Sequence, residues 1–370
     1  MTATFAAGVI GCGRMGAFPS PSVREYGPAC FLPSAHAEAM QMADGVDLVA
    51  LCDPDAERLA RAGEHYGAQR RYKDARALLE AGAPDVLGVA TRTLGRADII
   101  LDAIASGTRA LHVEKPLCNS MAELERLGPV LEREDVFVTL GAVRRHFAVY
   151  QHALAQAQSG QYGRLLFAHA EFGARTLYWS HPHSVDLLLF AGGGARVEAV
   201  QARLGSVERE GSTITNDPLV LEASVWFDTG FSGHITRMPG TDWRLACETS
   251  QLAVVANGSS IWRSGRPKIA DDRSSTNPAG ANPYHEPERL DFAPPAKPEG
   301  ALAPIRQLIA CLRGDAQAIA ANAAVKRDIV TGQRVLFAMV QSHLEGGRPV
   351  ALDDVDRALA IEGRTGGAPA

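Results

Sequence analysis

Short apolar runs separated by stretches of helical spacing make up the first ~140 residues. Phe5–Ile10, Asp47–Cys52, Val86–Ala90, Ala110–Val113 and Val136–Leu140 are apolar enough to be strands buried on both faces. Between them Leu59, Ala62 and Tyr66, then Leu78 and Leu79, recur at helical spacing. Alternating strands and helices predict an α/β unit with a doubly wound parallel sheet. Ser120-Met-Ala-Glu123 is a capping box, so a helix opens soon after the Ala110–Val113 strand.

The pattern changes near Phe147. One helix runs to Ser159, and then Leu166, Ala168, Ala170 and Phe172 alternate with His169 and Glu171, the signature of a half-buried strand. Val197–Leu204, Leu219–Phe227, Phe231–Thr236, Arg244–Thr249 and Gln251–Ala256 continue the series, with short turns such as Asp228-Thr-Gly230. These predict an α+β second domain on a large, mostly antiparallel sheet. Residues 271–300, rich in Pro, Asn, Ser and Gly, read as an arm without regular structure. Helices are expected at Pro304–Leu312 and Val325–Leu344, the last stopped by Gly346-Gly347. The expected division is 1–142 and 143–370.

Composition adds exclusions. A chain of 370 residues can bury two cores, and a net charge of -5 gives no basic field for nucleic acid. The six cysteines (12, 30, 52, 118, 247, 311) stand singly, without the pairs of a zinc site or disulfide framework. With no signal-like start and no apolar run of membrane-spanning length, the expectation is a cytoplasmic protein without a membrane partner.

The chemistry lies in four places. Gly11-Cys-Gly13-Arg14-Met15-Gly16 follows the first strand, where Gly11 makes a tight turn, Gly13 admits a pyrophosphate and Gly16 lets helix and strand approach. Asp53 ends the second strand, placed to accept hydrogen bonds from ribose hydroxyls and to repel a 2′-phosphate, so NAD is expected ahead of NADP. The same carboxylate could instead cap the helix that begins near Pro54. Lys115, after the Ala110–Val113 strand, can polarise a substrate hydroxyl, with Pro116 fixing the backbone, if necessary through a cis bond. In His181-Pro182-His183-Ser184-Val185-Asp186, Pro182 suits a first helical turn, which puts His183 near the helix N-terminus as a base that Asp186 could orient. His181, His183 and Asp186 lie too close together, without a fourth ligand, to suggest a metal. Residues 17–34, with four prolines, cannot continue a helix; they either reach over the site through Arg24 and Tyr26 or form a surface or subunit contact.

These motifs, in this order, resemble the family of glucose-fructose oxidoreductase, inositol dehydrogenase and rhizopine catabolism proteins over nearly the whole chain. The matches are the glycine turn, Ala90-Thr91, His112-Val-Glu114-Lys115-Pro116-Leu, the arginine-containing crossing Gly141–Phe147, and His183-Ser-Val-Asp186. The resemblance implies hydride transfer from a secondary hydroxyl of a sugar, cyclitol or related polyol to NAD. Lys115 and His183 would be catalytic, with His183 taking the proton or exchanging that role with Lys115. Gly11, Gly13, Arg14, Met15, Gly16, Asp53, Thr91 and Glu114 would hold the cofactor, and Arg92, Arg144, Trp179 and Asp186 would face the substrate. A homodimer or homotetramer is expected.

The chain departs from the family at two points. Trp179 stands where the family usually has Asp, four residues before the histidine. Arg92-Thr93 and Arg96 replace a Pro-Asn and a histidine after the fourth strand, adding cations to the expected site rim. Tyr178 and Trp179 are either sugar-stacking or core aromatics. Two rival readings remain: an NAD-dependent glycosidase working through transient sugar oxidation, and a non-catalytic dinucleotide-sensing regulator like the yeast galactose repressor.

Overall fold

A computed structural model of the chain describes residues 4–265 and 285–362. Residues 271–284, much of the expected arm, lie outside the described residues. Strands β1 (Phe5–Ile10), β2 (Val46–Cys52), β3 (Arg70–Tyr72), β4 (Val86–Val89), β5 (Ala110–Val113) and β6 (Phe137–Leu140) form one parallel sheet in the order β3-β2-β1-β4-β5-β6. The order reverses between β1 and β4, which opens a crevice at the carboxyl ends of the strands. The edge strand β3, Arg-Arg-Tyr, has no apolar run to betray it in the sequence.

The intervening helices are α1 (Pro21–Tyr26), α2 (His36–Met42), α3 (Ala56–Tyr66), α4 (Ala75–Glu80), α5 (Arg96–Ala105) and α6 (Met121–Leu131). Asp55 caps α3 by accepting from the Glu57 and Arg58 amides, a role the sequence offered to Asp53. The capping box of α6 forms as expected, with Glu123 N on Ser120 Oγ at 3.1 Å and Ser120 N on Glu123 Oε2 at 3.2 Å.

The helix after the glycine turn is interrupted. One turn forms, with Ala17 N and Phe18 N bonding Gly13 O, and α2 resumes the ladder through His36 N to Met15 O (2.8 Å) and Ala37 N to Gly16 O (2.9 Å). Residues 18–35 are thus looped out of a single helical path. Their inward contacts are not those expected: Arg24 pairs with Glu38 and Tyr26 is 77% exposed. Phe31 is the residue that reaches the second half, packing edge-on against Phe147 at 4.9 Å between ring centres, while Cys30 O and Pro33 O accept from Gly300 N and Ala301 N.

The second half carries α7 (Ala148–Gln158), β7 (Leu165–Glu171), α8 (Leu177–Gly192), β8 (Val197–Leu204), β9 (Arg209–Glu210), β10 (Thr213–Ile214), β11 (Val220–Phe227), β12 (Ser232–Thr236), β13 (Asp242–Cys247), β14 (Ser250–Val255), β15 (Ser260–Gly265) and β16 (His285–Leu290). Eight strands form a sheet in the order β16-β15-β14-β13-β7-β12-β11-β8, antiparallel except where β7 meets β12. Strand β16 corrects the reading of 271–300 as wholly irregular: its polar His-Glu-Pro-Glu-Arg-Leu sequence hides an edge strand.

Helix α9 (Leu302–Leu312) then returns to the first sheet. Its Leu302, Ile305, Leu308 and Ile309 join the core of Val9, Leu51, Met40 and Phe137. Helix α10 (Ala316–Leu344) starts before the expected Val325, because its alanine-rich opening is capped by Asp315 rather than marked by apolar spacing. It touches both halves: Asn322 exchanges hydrogen bonds with the Val138 backbone, and Gln333 accepts from Leu117 N and donates to the Tyr178 hydroxyl. Strand β17 (Ala360–Ile361) pairs with β10.

Candidate active site

The glycine turn leaves β1 at the crevice, and its geometry is set by backbone contact. Gly11 has φ +94°, and a Cβ there would lie 2.7 Å from the Ala90 carbonyl; a Cβ on Gly16 would collide with Gly11 O. A Cβ on Gly13 would meet nothing within 4 Å. Gly13 therefore faces open space, the room a pyrophosphate requires, and the donor set fits a dinucleotide. Asp53, buried at the end of β2, accepts from Cys12 N through Oδ2 at 2.7 Å and from Asp55 N through Oδ1 at 2.9 Å. It thus braces the turn directly.

Lys115 follows β5, and its bond to Pro116 is cis. The half-buried ammonium donates to Trp179 O at 2.6 Å and lies 4.2 Å from the centre of the Trp179 ring. Burial brings its pKa down to about 8; Glu114 and Asp217 oppose the fall, while Arg96 and Arg144 add to it.

Arg96 corrects the expectation of a rim cation. It is 2% exposed, and its guanidinium binds the carbonyls of Thr91, Glu114 and Pro116, clamping the segment that presents Lys115. Burial lowers its pKa to about 10 against the pull of Glu114. The Glu114 carboxylate turns inward to His36 Nε2 at 3.2 Å; burial would raise its pKa, but His36 and the neighbouring charges hold it at about 2. Thr91 lies at the end of β4, its carbonyl bound by Arg96.

His183 lies in α8, not in its first turn: the helix begins at Leu177 and continues through Pro182. Its imidazole is held far below the ordinary histidine range by burial first, then by Arg144, Lys115 and His181. Burial and charge, rather than a helix terminus, keep it neutral. Asp186 does not orient the ring. It forms an ion pair with Arg145 at 2.8 Å, and Arg145 also binds Asp328 at 2.9 Å; His183 Nδ1 is buried without a hydrogen-bond partner among the described residues. Burial lifts the Asp186 pKa to about 6 despite Arg145.

Trp179 is 39% exposed and lies between Lys115 and Arg14, whose guanidinium carbon is 5.3 Å from its ring centre. Tyr178 belongs to the core, its hydroxyl bound to Cys118 O and Gln333. His181 is fully buried, with Nδ1 2.8 Å from Ser184 Oγ. Arg144 is buried between the faces of Phe31 and Phe172, each 5.0 Å away, with Nε and Nη2 on Asn257 Oδ1. Met15 is partly exposed and Arg92 exposed.

The structure thus gathers Arg14, Lys115, Trp179, His183 and Arg144, and removes Asp186 and Glu114 into buried pairs. Sequence reading put Arg96 on the rim rather than in a clamp, and missed the brace Gln333 and Asp217, whose oxygens accept from Tyr178 N at 2.7 Å and Trp179 N at 3.2 Å. No local pattern links Asp217 to a helix 38 residues earlier. Among the described residues, no group of His, Cys, Asp and Glu is arranged to hold a metal.

Comparison with known proteins bears on the fold and on the first domain. Residues 5–142 match the model of the oxidoreductase family with an NAD-binding Rossmann fold. A D-apiose dehydrogenase of Paraburkholderia graminis is 34% identical over 106 residues, 29% of this chain and 28% of that one. A myo-inositol 2-dehydrogenase of Thermotoga maritima is 27% identical over 157 residues, 42% of each chain. The matches thus span less than half the length of these relatives. The fold as a whole is that of an inositol dehydrogenase homolog from Azotobacter vinelandii solved with NADH and myo-inositol, at 18% identity and TM-score 0.70 over 95% of this chain and 98% of that one. Residues 5–142 are therefore similar to the NAD-binding Rossmann domain of that oxidoreductase family, and the whole chain shares the fold of its solved neighbours.

Proposed function

We propose that the protein is an NAD-dependent dehydrogenase oxidising a secondary hydroxyl of a sugar, cyclitol or related polyol. The observation that carries this reading is the half-buried Lys115 amine, set between the glycine turn and α8 with its pKa near 8. Bound NAD supplies the hydride acceptor. Gly11 to Gly16 would seat its pyrophosphate, and Asp53, which holds that turn through Cys12 N, would disfavour a 2′-phosphate by its charge.

The electrostatics favour Lys115 as the proton acceptor. A general base works best with a pKa near the working pH, which the lysine meets. Imidazolium at His183 would face Arg144 and Lys115 in a partly desolvated site, so His183 is the weaker base and would serve as the neutral group that orients the hydroxyl. Of the two arrangements open from the sequence, this is the one with Lys115 as the proton acceptor. Arg14 and Met15, on the glycine turn, would lie against the bound dinucleotide, and the Trp179 ring offers an apolar face to a sugar, while Arg144, buried between Phe31 and Phe172, lends the site its positive field rather than a direct contact.

The open face of the eight-stranded sheet supports a dimer or tetramer: Phe167 and Trp262 are each 40% exposed there. Six free thiols fit a reducing cytoplasm, and among the described residues no helix is long and apolar enough to cross a membrane.

The test is NADH absorbance across myo-inositol, D-apiose and related polyols, with NADP in parallel. Net NADH formation supports the proposal. Release of free sugar from a glycoside without net NADH would replace it with a glycosidase reading, and tight NAD binding without turnover of any compound would replace it with a sensor.

A further inference from the structure

Helix α8 opens without help from its own cap: the Thr176 side chain makes no cap hydrogen bond to the helix. Its amides at Tyr178 and Trp179 are taken instead by the two oxygens of Asp217, which lies between β10 and β11. The two segments are clipped together by Leu177 N to Pro218 O (2.9 Å) and Val220 N to Arg175 O (3.0 Å), so the carboxylate is held in place from both sides. Trp179, whose N–H Asp217 receives, is the residue whose carbonyl receives Lys115 Nζ at 2.6 Å. One peptide-bearing residue thus joins carboxylate and amine.

We propose that Asp217 is a positioning residue for Lys115, fixing the first turn of α8 as the amine's docking point and placing a compensating negative charge beside it. The proposal rests on the dehydrogenase reading above and extends it to a residue outside the site motifs. Glu114 and Asp217 favour the ammonium, Arg96 and Arg144 oppose it, and His183 shares its surroundings. Glu114, the larger influence, is bonded to His36 and precedes Lys115 in the chain, whereas Asp217 is the counter-charge that also binds the first turn of α8.

The experiment is pH-dependent competitive acetylation of the full chain with trace acetic anhydride, read at each lysine by mass spectrometry. Asp217→Asn keeps a helix-capping oxygen but loses the charge. Its Lys115 midpoint should fall by roughly half a unit or more, while Lys73 and Lys297 stay unchanged; Asp217→Glu should move it back toward wild type. Asp217→Ser serves the same purpose should the Asn variant fail to fold, as judged by thermal melting. An unchanged Lys115 midpoint in a folded, uncharged variant overturns the proposal. A shifted midpoint in a chain that oxidises no polyol would instead overturn the dehydrogenase reading and leave the Asp217–Lys115 coupling standing.

Discussion

The cofactor end and the substrate end of this site are specified in different ways. At the cofactor end, six consecutive residues do most of the work, and what they do follows from lacking side chains: Gly11 and Gly16 admit close backbone, and Gly13 leaves room. At the proposed substrate end, Lys115, Trp179, His183 and Arg144 come from three separate parts of the chain and are held together by buried braces. Backbone geometry tolerates drift in the rest of the sequence, whereas convergent side chains depend on every brace. The family model, by comparison, matches only residues 5–142 and stops before α8 begins.

The contrast can be broken by mutation. Lys115→Ala should lower kcat/KM by about 10²–10⁴-fold while NAD affinity, by isothermal titration, stays close to wild type; a parallel loss of NAD binding would mean that the two ends are not independent. In the pH profile, Lys115 must be neutral to accept a proton, so polyol oxidation should rise about tenfold per unit up to its pKa near 8 and level off above. A rate that falls through the same range would return the base role to His183. Gly13→Ala should weaken NAD roughly tenfold, about 1.4 kcal/mol, without lowering the melting temperature, whereas Gly16→Ala should cost roughly 1–3 kcal/mol of stability because backbone blocks its Cβ. The smallest effect is expected at the exposed Arg92, where Ala should change KM by no more than about threefold, or roughly 0.6 kcal/mol; a large change would add it to the substrate contacts.

What the sequence makes legible follows the same division. The doubly wound sheet, the glycine turn and the capping box are local patterns, and each forms where the pattern lies. Of the six strands of the first sheet, β3 is missed because its residues are polar at an exposed edge, and β16 is missed for the same reason. His183 is found but misplaced, because Pro182 suggests a helix start while α8 runs through it. Asp186 and Glu114 are named as site groups from their neighbours in sequence, yet Arg145 and His36 claim them in space. Arg96 and Asp217 act on backbone carbonyls and amides far along the chain, and no spacing rule announces such contacts.

Helix α9 carries one further consequence. It covers the first sheet although it follows the second, and its four buried aliphatic side chains contribute about 6–12 kcal/mol as an upper figure. A fragment ending at residue 142 would therefore expose a sticky greasy surface, and dividing the gene there should yield aggregates rather than a working nucleotide module. Supplying residues 300–344 as a separate peptide would be the way to rescue it.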